Sequence, residues 1–281
     1  MKSFLFIATV FFCTTVFSQH KHKQYQKQEK ISNDLYFNQI SDSIYMLTHY
    51  FPRWGGNSMF ILLPNHKGVL IDTPYELTGT QSLLTWISEK FGELELIAIV
   101  TGYHQDNLGG NALLLSKGIN VYGANLTKKL VKKEGDTFME FILKMEEKNK
   151  NKRYYESYSG LTLTPPNKTF PIKKGLKLKI ENEVFEVYFP GETHTIDNTV
   201  VYLHHNRILF GGCMFKGTMY NSPGLTDFAN MDEWPRAVDR VVARFGDCQT
   251  VIPGHGDYGG PELLSHMQKV LKNWHENHAD K

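Results

Sequence analysis

Cysteine is scarce in this chain: three residues in 281, of which only Cys213 and Cys248 lie beyond the N-terminal leader. At most one disulfide can form once the leader is gone. An excess of one charge sign is also missing. The formal net charge is +2, and most of it is local, from Lys2 in the leader and from Lys21, Lys23, Lys27 and Lys30 against Glu29. Taking those five bases and one acid from the totals of 31 and 29 leaves 26 and 28, a net −2 from Ile31 onward. A chain without a basic domain is not expected to bind nucleic acid. Beyond the leader there is no internal repeat, no long linker and no apolar run long enough to span a membrane.

What is present begins with the leader. Lys2 precedes the apolar run Phe4–Phe17, which reads as a secretory signal peptide over residues 1–18, cut before Gln19. Export to the periplasm is therefore expected. The run is too short for a membrane span, and Phe11-Phe12 before Cys13 are too bulky for a lipid-anchor processing site, so no stable membrane anchor is expected. Residues 19–30 are polar and charged and read as a disordered basic segment. Residues 31–281 form the folded domain, expected to act as a monomer on a small-molecule substrate. Its hydrophobic content, within 41% for the chain, supports a sizeable core.

Strands and helices alternate along that domain. Ser43–Thr48 and Ser58–Leu63 read as strands around the turn His49–Asn57, and Gly68–Thr73 as a third. Leu77–Phe91 has helical apolar spacing at Leu83, Leu84, Trp86 and Ile87. Leu96–Val100 is a short buried strand, Asn107–Lys117 a helix and Asn120–Gly123 a strand. Asn125 is placed as the N-cap of a helix to Lys133, with a second amphipathic helix over Thr137–Tyr155. The later half repeats the theme: strands Val184–Phe189, Thr199–His204, Arg207–Phe210 and Thr250–Ile252, and helices Met231–Phe245 and Pro261–Trp274. Two similar halves point to one layered α/β domain with a site between two sheets.

Five residues of metal-ligand type sit in glycine-bearing turns: His104 and Asp106 in Gly102-Tyr103-His104-Gln105-Asp106, His194 in Gly191–Asn198, Cys213 after Gly211-Gly212, and His255 in Pro253-Gly254-His255-Gly256. Catalytic zinc takes three protein ligands of carboxylate, thiolate or imidazole type and keeps a position open for water. Asp106, Cys213 and His255 make such a set. His104 and His194 make two-thirds of a second site, which a histidine at residue 102 would complete and Gly102 does not. A disulfide between Cys213 and Cys248 is the alternative use of the thiol. Cys213 follows two glycines at the end of a strand, a place for an exposed functional group, and this favours the metal. The remaining histidines, His49 and the pair His204-His205 among them, read as surface, core or turn residues.

These segments, in this order and spacing, resemble the metallo-β-lactamases from about Ile40 to the C-terminus. The resemblance implies a four-layer αβ/βα sandwich of two mixed sheets with helices outside, Zn2+ at the lip between the sheets, and hydrolysis of a β-lactam. It implies that Lys216 holds the substrate carboxylate; with one zinc, the chemistry makes His104 and Asp106 candidates to orient or deprotonate the attacking water and His194 a candidate to donate to the lactam carbonyl. Asn107 and Cys213 resemble the lactamase branch rather than thioesterase-like relatives of the same fold. Di-zinc members have histidine where Gly102 stands; the mono-zinc, carbapenem-selective group has asparagine there, and resembles this chain in the helix Thr137–Tyr155. One tightly held zinc is therefore expected, with a water in the space at Gly102 helping a second, weaker ion to bind His104 and His194. Trp54 is a candidate to close over an apolar substrate face; packing on the core is its other reading. The stretch Ser222–Asp227 has no asparagine to polarise the carbonyl, and Asn221 is displaced from it. The competing readings are a hydrolase of another ester, thioester or lactone on the same fold, and a zinc-binding protein without catalysis.

Overall fold

Successive residues of a strand face opposite sides, and along most strands of this chain both sides are apolar. Such strands need a layer above and a layer below. The computed structural model describes residues 28–51, 55–150 and 152–278; the signal peptide, most of the segment 19–30 and Trp54 lie outside the described residues. The first half carries β1 (Glu29–Lys30), β2 (Leu35–Ser41), β3 (Ile44–His49), β4 (Gly56–Leu63), β5 (Lys67–Ile71), α1 (Leu77–Phe91), β6 (Glu95–Ile99), α2 (Gln105–Leu108), α3 (Asn111–Ser116), β7 (Asn120–Ala124), α4 (Asn125–Lys148), α5 (Lys152–Tyr158) and β8 (Lys168–Phe170). The second half carries β9 (Leu176–Ile180), β10 (Glu183–Tyr188), β11 (Val200–Leu203), β12 (Ile208–Lys216), α6 (Trp234–Phe245), β13 (Thr250–His255) and α7 (Glu262–Glu276).

β1 to β8 lie in sequence order across one mixed sheet, and β9 to β13 across a second. The two meet at a single backbone pairing, His255 opposite Gly56. Side-chain alternation then sorts three cores. Tyr45 and Leu47 of β3 face α1, α3 and α4. Ile44 and Met46 of the same strand face the other sheet, where they meet Val201 and Leu203 of β11. Val200 and Tyr202 of β11 face α6 and α7. Helix, sheet, sheet, helix is the four-layer sandwich that the sequence implied.

Several boundaries differ from expectation, each for a packing reason. Glu29 and Lys30, read as part of a disordered segment, pair with Phe37 and Tyr36 on β2, a strand that sequence periodicity missed. The helix expected over Asn107–Lys117 breaks into α2 and α3 at Gly109-Gly110, which lie hard against the Tyr75 carbonyl and Thr80. α4 runs unbroken through Gly135, because Leu130, Val131, Phe138, Met139 and Ile142 stay buried along one face. Its N-cap is Ala124 rather than Asn125; the Asn125 Oδ1 instead accepts from the Ile172 amide at 3.2 Å. β12 continues past Phe210 to Lys216. Among the described residues no helix is long and apolar enough to cross a membrane.

The second sheet is tied to its helix layer by one buried carboxylate. Glu186 on β10 accepts from Arg244 on α6, from Lys177 on β9 and from His204. Burial alone would raise its pKa, but the hydrogen bonds from these three side chains outweigh it and hold it at about 2. A depressed carboxylate stabilises the fold above its unfolded pKa and loses that contribution as pH falls through its folded one. Glu186→Gln should therefore lower stability by about 2 kcal/mol at neutral pH. The deficit should shrink below the ordinary glutamate range and be gone near the folded pKa. Chemical denaturation across that range checks this; a deficit independent of pH would contradict it.

Candidate metal centre

β6 delivers the chain to the site and Asp72 holds it there. The Asp72 carboxyl, at the end of β5, accepts from the Thr101 amide and the Thr101 hydroxyl, each at 2.7 Å. Burial pushes this carboxyl up to about 8 in spite of those bonds. The turn that follows, Gly102 to His104, leads into α2, with Asp106 in its first turn. Cys213 comes from β12, at an irregularity where the pairing with β13 shifts register on both sides of Gly212. Gly212 has φ 54°, a left-handed conformation that disfavours side chains, and it turns the next residue toward Asp106. Cys213 thus lies inside a strand and is buried, at 2% exposure, not exposed at a strand end. His255 ends β13, and its Nδ1 lies 3.2 Å from the Gly55 carbonyl. A carbonyl only accepts, so Nδ1 carries a proton, and Nε2 is the ring nitrogen turned toward Asp106 and Cys213.

The three groups converge. Cys213 Sγ and His255 Nε2 each lie 3.1 Å from Asp106 Oδ2, and 4.0 Å from each other. Tetrahedral zinc with its usual bond lengths needs ligand atoms roughly 3.3–3.8 Å apart, so small adjustments suffice. The chemistry of the set points the same way. Burial raises the Asp106 pKa, but His255, His104 and Cys213 outweigh it and hold the carboxyl well below the usual range. Burial and the neighbouring Asp106 drive the Cys213 thiol well up. A buried carboxylate and a thiol in contact repel as anions, and a cation relieves the repulsion. Asp106 Oδ1 is buried without a hydrogen-bond partner. The residues present fit zinc.

His104 and His194 form a second pair beside this set, ring centroids 5.2 Å apart and nearly perpendicular. His104 stacks on Phe138 of α4 at 4.0 Å with an interplanar angle of 4°, and Phe228 meets it edge-on. Trp234 packs edge-on to His194. Desolvation holds His104 at about 4 and His194 well below the ordinary histidine range. Both are neutral at pH 7. His104 Nε2 and His194 Nδ1 are buried with no hydrogen-bond partner.

Asp106 and His255 of the first group and both histidines of the second open on one cavity of about 490 Å3, which Phe138, Ile142 and Met145 of α4 and Lys216 also line. Lys216 ends β12, opposite His255 in register, and burial lowers its pKa. Ser222, Gly224 and Leu225 reach the cavity; Asn221 is not part of its lining. Cys248 is buried in the α6–α7 core, and both cysteines are free, so the disulfide reading is not realised. The space at Gly102, expected to hold water, is filled by side chains: a Cβ there would meet Asn198 Nδ2 at 2.5 Å and Asn107 Oδ1 at 2.9 Å.

Sequence reasoning missed the supports. Asn107 Nδ2 lies 2.9 Å from Asp72 Oδ2, 3.3 Å from Thr101 Oγ1 and 3.5 Å from Cys213 Sγ. An acid ending an apolar strand, as Asp72 does, was the available signal for the first. Asn107 was marked only by its resemblance to the lactamase branch, and Asn198 carried no signal beyond lying in a glycine-bearing turn.

No family model matches the chain. It is 31% identical over 257 residues to the metallo-β-lactamase type 2 of Bacteroides fragilis, covering 90% of this chain and 91% of that one. It is 30% identical over 237 residues to the protein of the same name from Bacillus cereus, covering 83% and 81%. Among solved structures, a metallo-β-lactamase from Pontibacter korlensis superposes with a TM-score of 0.71 at 30% identity, over 85% of this chain and 99% of that one.

Proposed function

The chain belongs to the metallo-β-lactamases, and from that premise we propose that it is an exported zinc hydrolase of β-lactams, working mainly with one zinc and preferring carbapenems. The carrying observation is the meeting of Asp106, Cys213 and His255, whose ligand atoms all lie within 4.8 Å of one another, at a cavity that Lys216 also lines. The gap at Gly102 supports a single tightly held ion. The apolar wall of α4 supports a compact substrate. The leader over residues 1–18 supports work outside the cytoplasm, in the periplasm.

Asp106, Cys213 and His255 would hold a zinc ion, which when bound would supply Lewis-acid charge and bring the pKa of a water down to about 7. The chain's own groups do the rest. Asp106 has one oxygen facing Cys213 and His255 and one, Oδ1, without a partner. That second oxygen, with His104, orients the attacking water and takes its proton. His194 donates to the lactam carbonyl as charge develops on its oxygen. Lys216, a buried ammonium at the cavity wall, binds the substrate carboxylate.

The test is purified protein, dialysed, assayed for zinc per chain, then given zinc in steps with a carbapenem and a penicillin present. Zinc-dependent loss of lactam absorbance, saturating near one ion per chain and faster for the carbapenem, is the expected result. No loss with either lactam would sink the reading, and turnover of a thioester panel instead would replace it.

Lys216→Ala should raise KM for a carboxylate-bearing lactam by about 10- to 100-fold, the loss of one charge-assisted hydrogen bond. The effect on kcat should be smaller, since the carboxylate is bound alike in ground and transition states. Steady-state kinetics separate the two; an unchanged KM with a collapsed kcat would contradict the assignment.

A further inference from the structure

Asn198 stands at the gap left by Gly102, and it is 1% exposed. Its Oδ1 accepts from the Thr195 amide at 2.9 Å and lies 3.2 Å from Thr193 Oγ1. A backbone N–H only donates, so the oxygen end is fixed and the amide nitrogen is the end turned toward Gly102. That nitrogen is buried with no hydrogen-bond partner, an arrangement costing about 1–3 kcal/mol. Across Gly102 lies Asn107, whose carbonyl oxygen is the next nearest atom to the absent Cβ.

Asn107 is the group that touches the metal set. Its amide nitrogen approaches Cys213 Sγ at 3.5 Å, and its carbonyl oxygen lies 3.8 Å from the same sulfur. Asn198 belongs to the loop that carries His194, and Asn107 to the turn that carries Asp106, and both amides reach the space beside residue 102 because that residue has no side chain. Any Cβ at that position would sit at 2.5 and 2.9 Å from the two amides and push them apart.

We propose that Asn198 is a positioning residue for the metal centre: filling, together with Asn107, the space beside Gly102, it sets the place of the Cys213 sulfur. Groups that orient a metal ligand in this way typically change metal affinity by about 10- to 100-fold when lost. A ligand introduced at residue 102 then has two opposing effects. It adds a partner for His104 and His194 while loosening the Asp106, Cys213 and His255 set.

The inference rests on the zinc reading above, and cobalt(II) separates the two. Cobalt bound by the Cys213 thiolate gives a sulfur-to-metal charge-transfer band. Wild-type protein that takes up cobalt without this band would sink the zinc reading itself. With the band present, Gly102→Ala, which adds no ligand, should weaken zinc binding by about tenfold and shift or diminish the band. Asn198→Ala, which leaves residue 102 untouched, should do the same and decides the matter if Gly102→Ala does not fold. Gly102→His should gain affinity for a second zinc while its first is released more readily than in the wild type. Zinc affinity and a cobalt band unchanged in the folded alanine variants would overturn the proposal.

Discussion

Cys213→Ser should strip the protein of its tightly held zinc and lower lactam turnover by at least about a thousandfold, equivalent to about 4 kcal/mol of transition-state stabilisation. Serine has nearly the same shape, so the fold is expected to survive. Its hydroxyl does not ionise to a soft anionic ligand at neutral pH. Asp106 and His255 would remain, 3.1 Å apart, and would pair with each other rather than hold a cation alone. Asn107 would also lose the sulfur it contacts. Metal per chain after dialysis, measured beside the turnover rate, checks both halves. His104→Ala provides the contrast: His104 is outside the converging set, so it should retain far more zinc than Cys213→Ser. Equal metal loss from the two variants would refute the assignment of the primary site.

Phe138→Ala should cost about 3–5 kcal/mol of stability, the usual range for emptying a buried aromatic position. The ring is 1% exposed and packs on Tyr103, His104 and Phe228 at once. Because it also walls the cavity, its loss should widen the substrate space beside His104 and reduce the proposed preference for carbapenem over penicillin. Denaturant unfolding gives the first quantity and a ratio of kcat/KM values the second. A stability loss below about 1 kcal/mol would mean the stack is not a packing element.

Much of this was readable before any fold was known, because it depends on short-range rules. α1 matches its expected bounds to the residue, since its apolar spacing and its Glu76 cap are both local. The strands ending near the site were visible as apolar runs before glycine-bearing turns. β2 was missed because Leu35–Ser41 alternates only weakly, and its strand character comes from pairing with β3. The split of α2 from α3 was missed because Tyr75 and Thr80, which lie against the two glycines, come from 30 residues or so earlier in the chain.

The amino-acid order alone determined which donor types were available, which one was absent at residue 102, and that two apolar-faced halves had to stack. Only the tertiary structure decided that Asp106 and Cys213, 107 residues apart, would share a contact of 3.1 Å. It likewise decided that Phe138 would lie flat on His104, and that two asparagines would fill the place of the missing ligand. The division has a physical cause. Periodicity and turn chemistry act between near neighbours in the chain, whereas side-chain packing depends on sheet register and layer spacing, which exist only once distant strands have met.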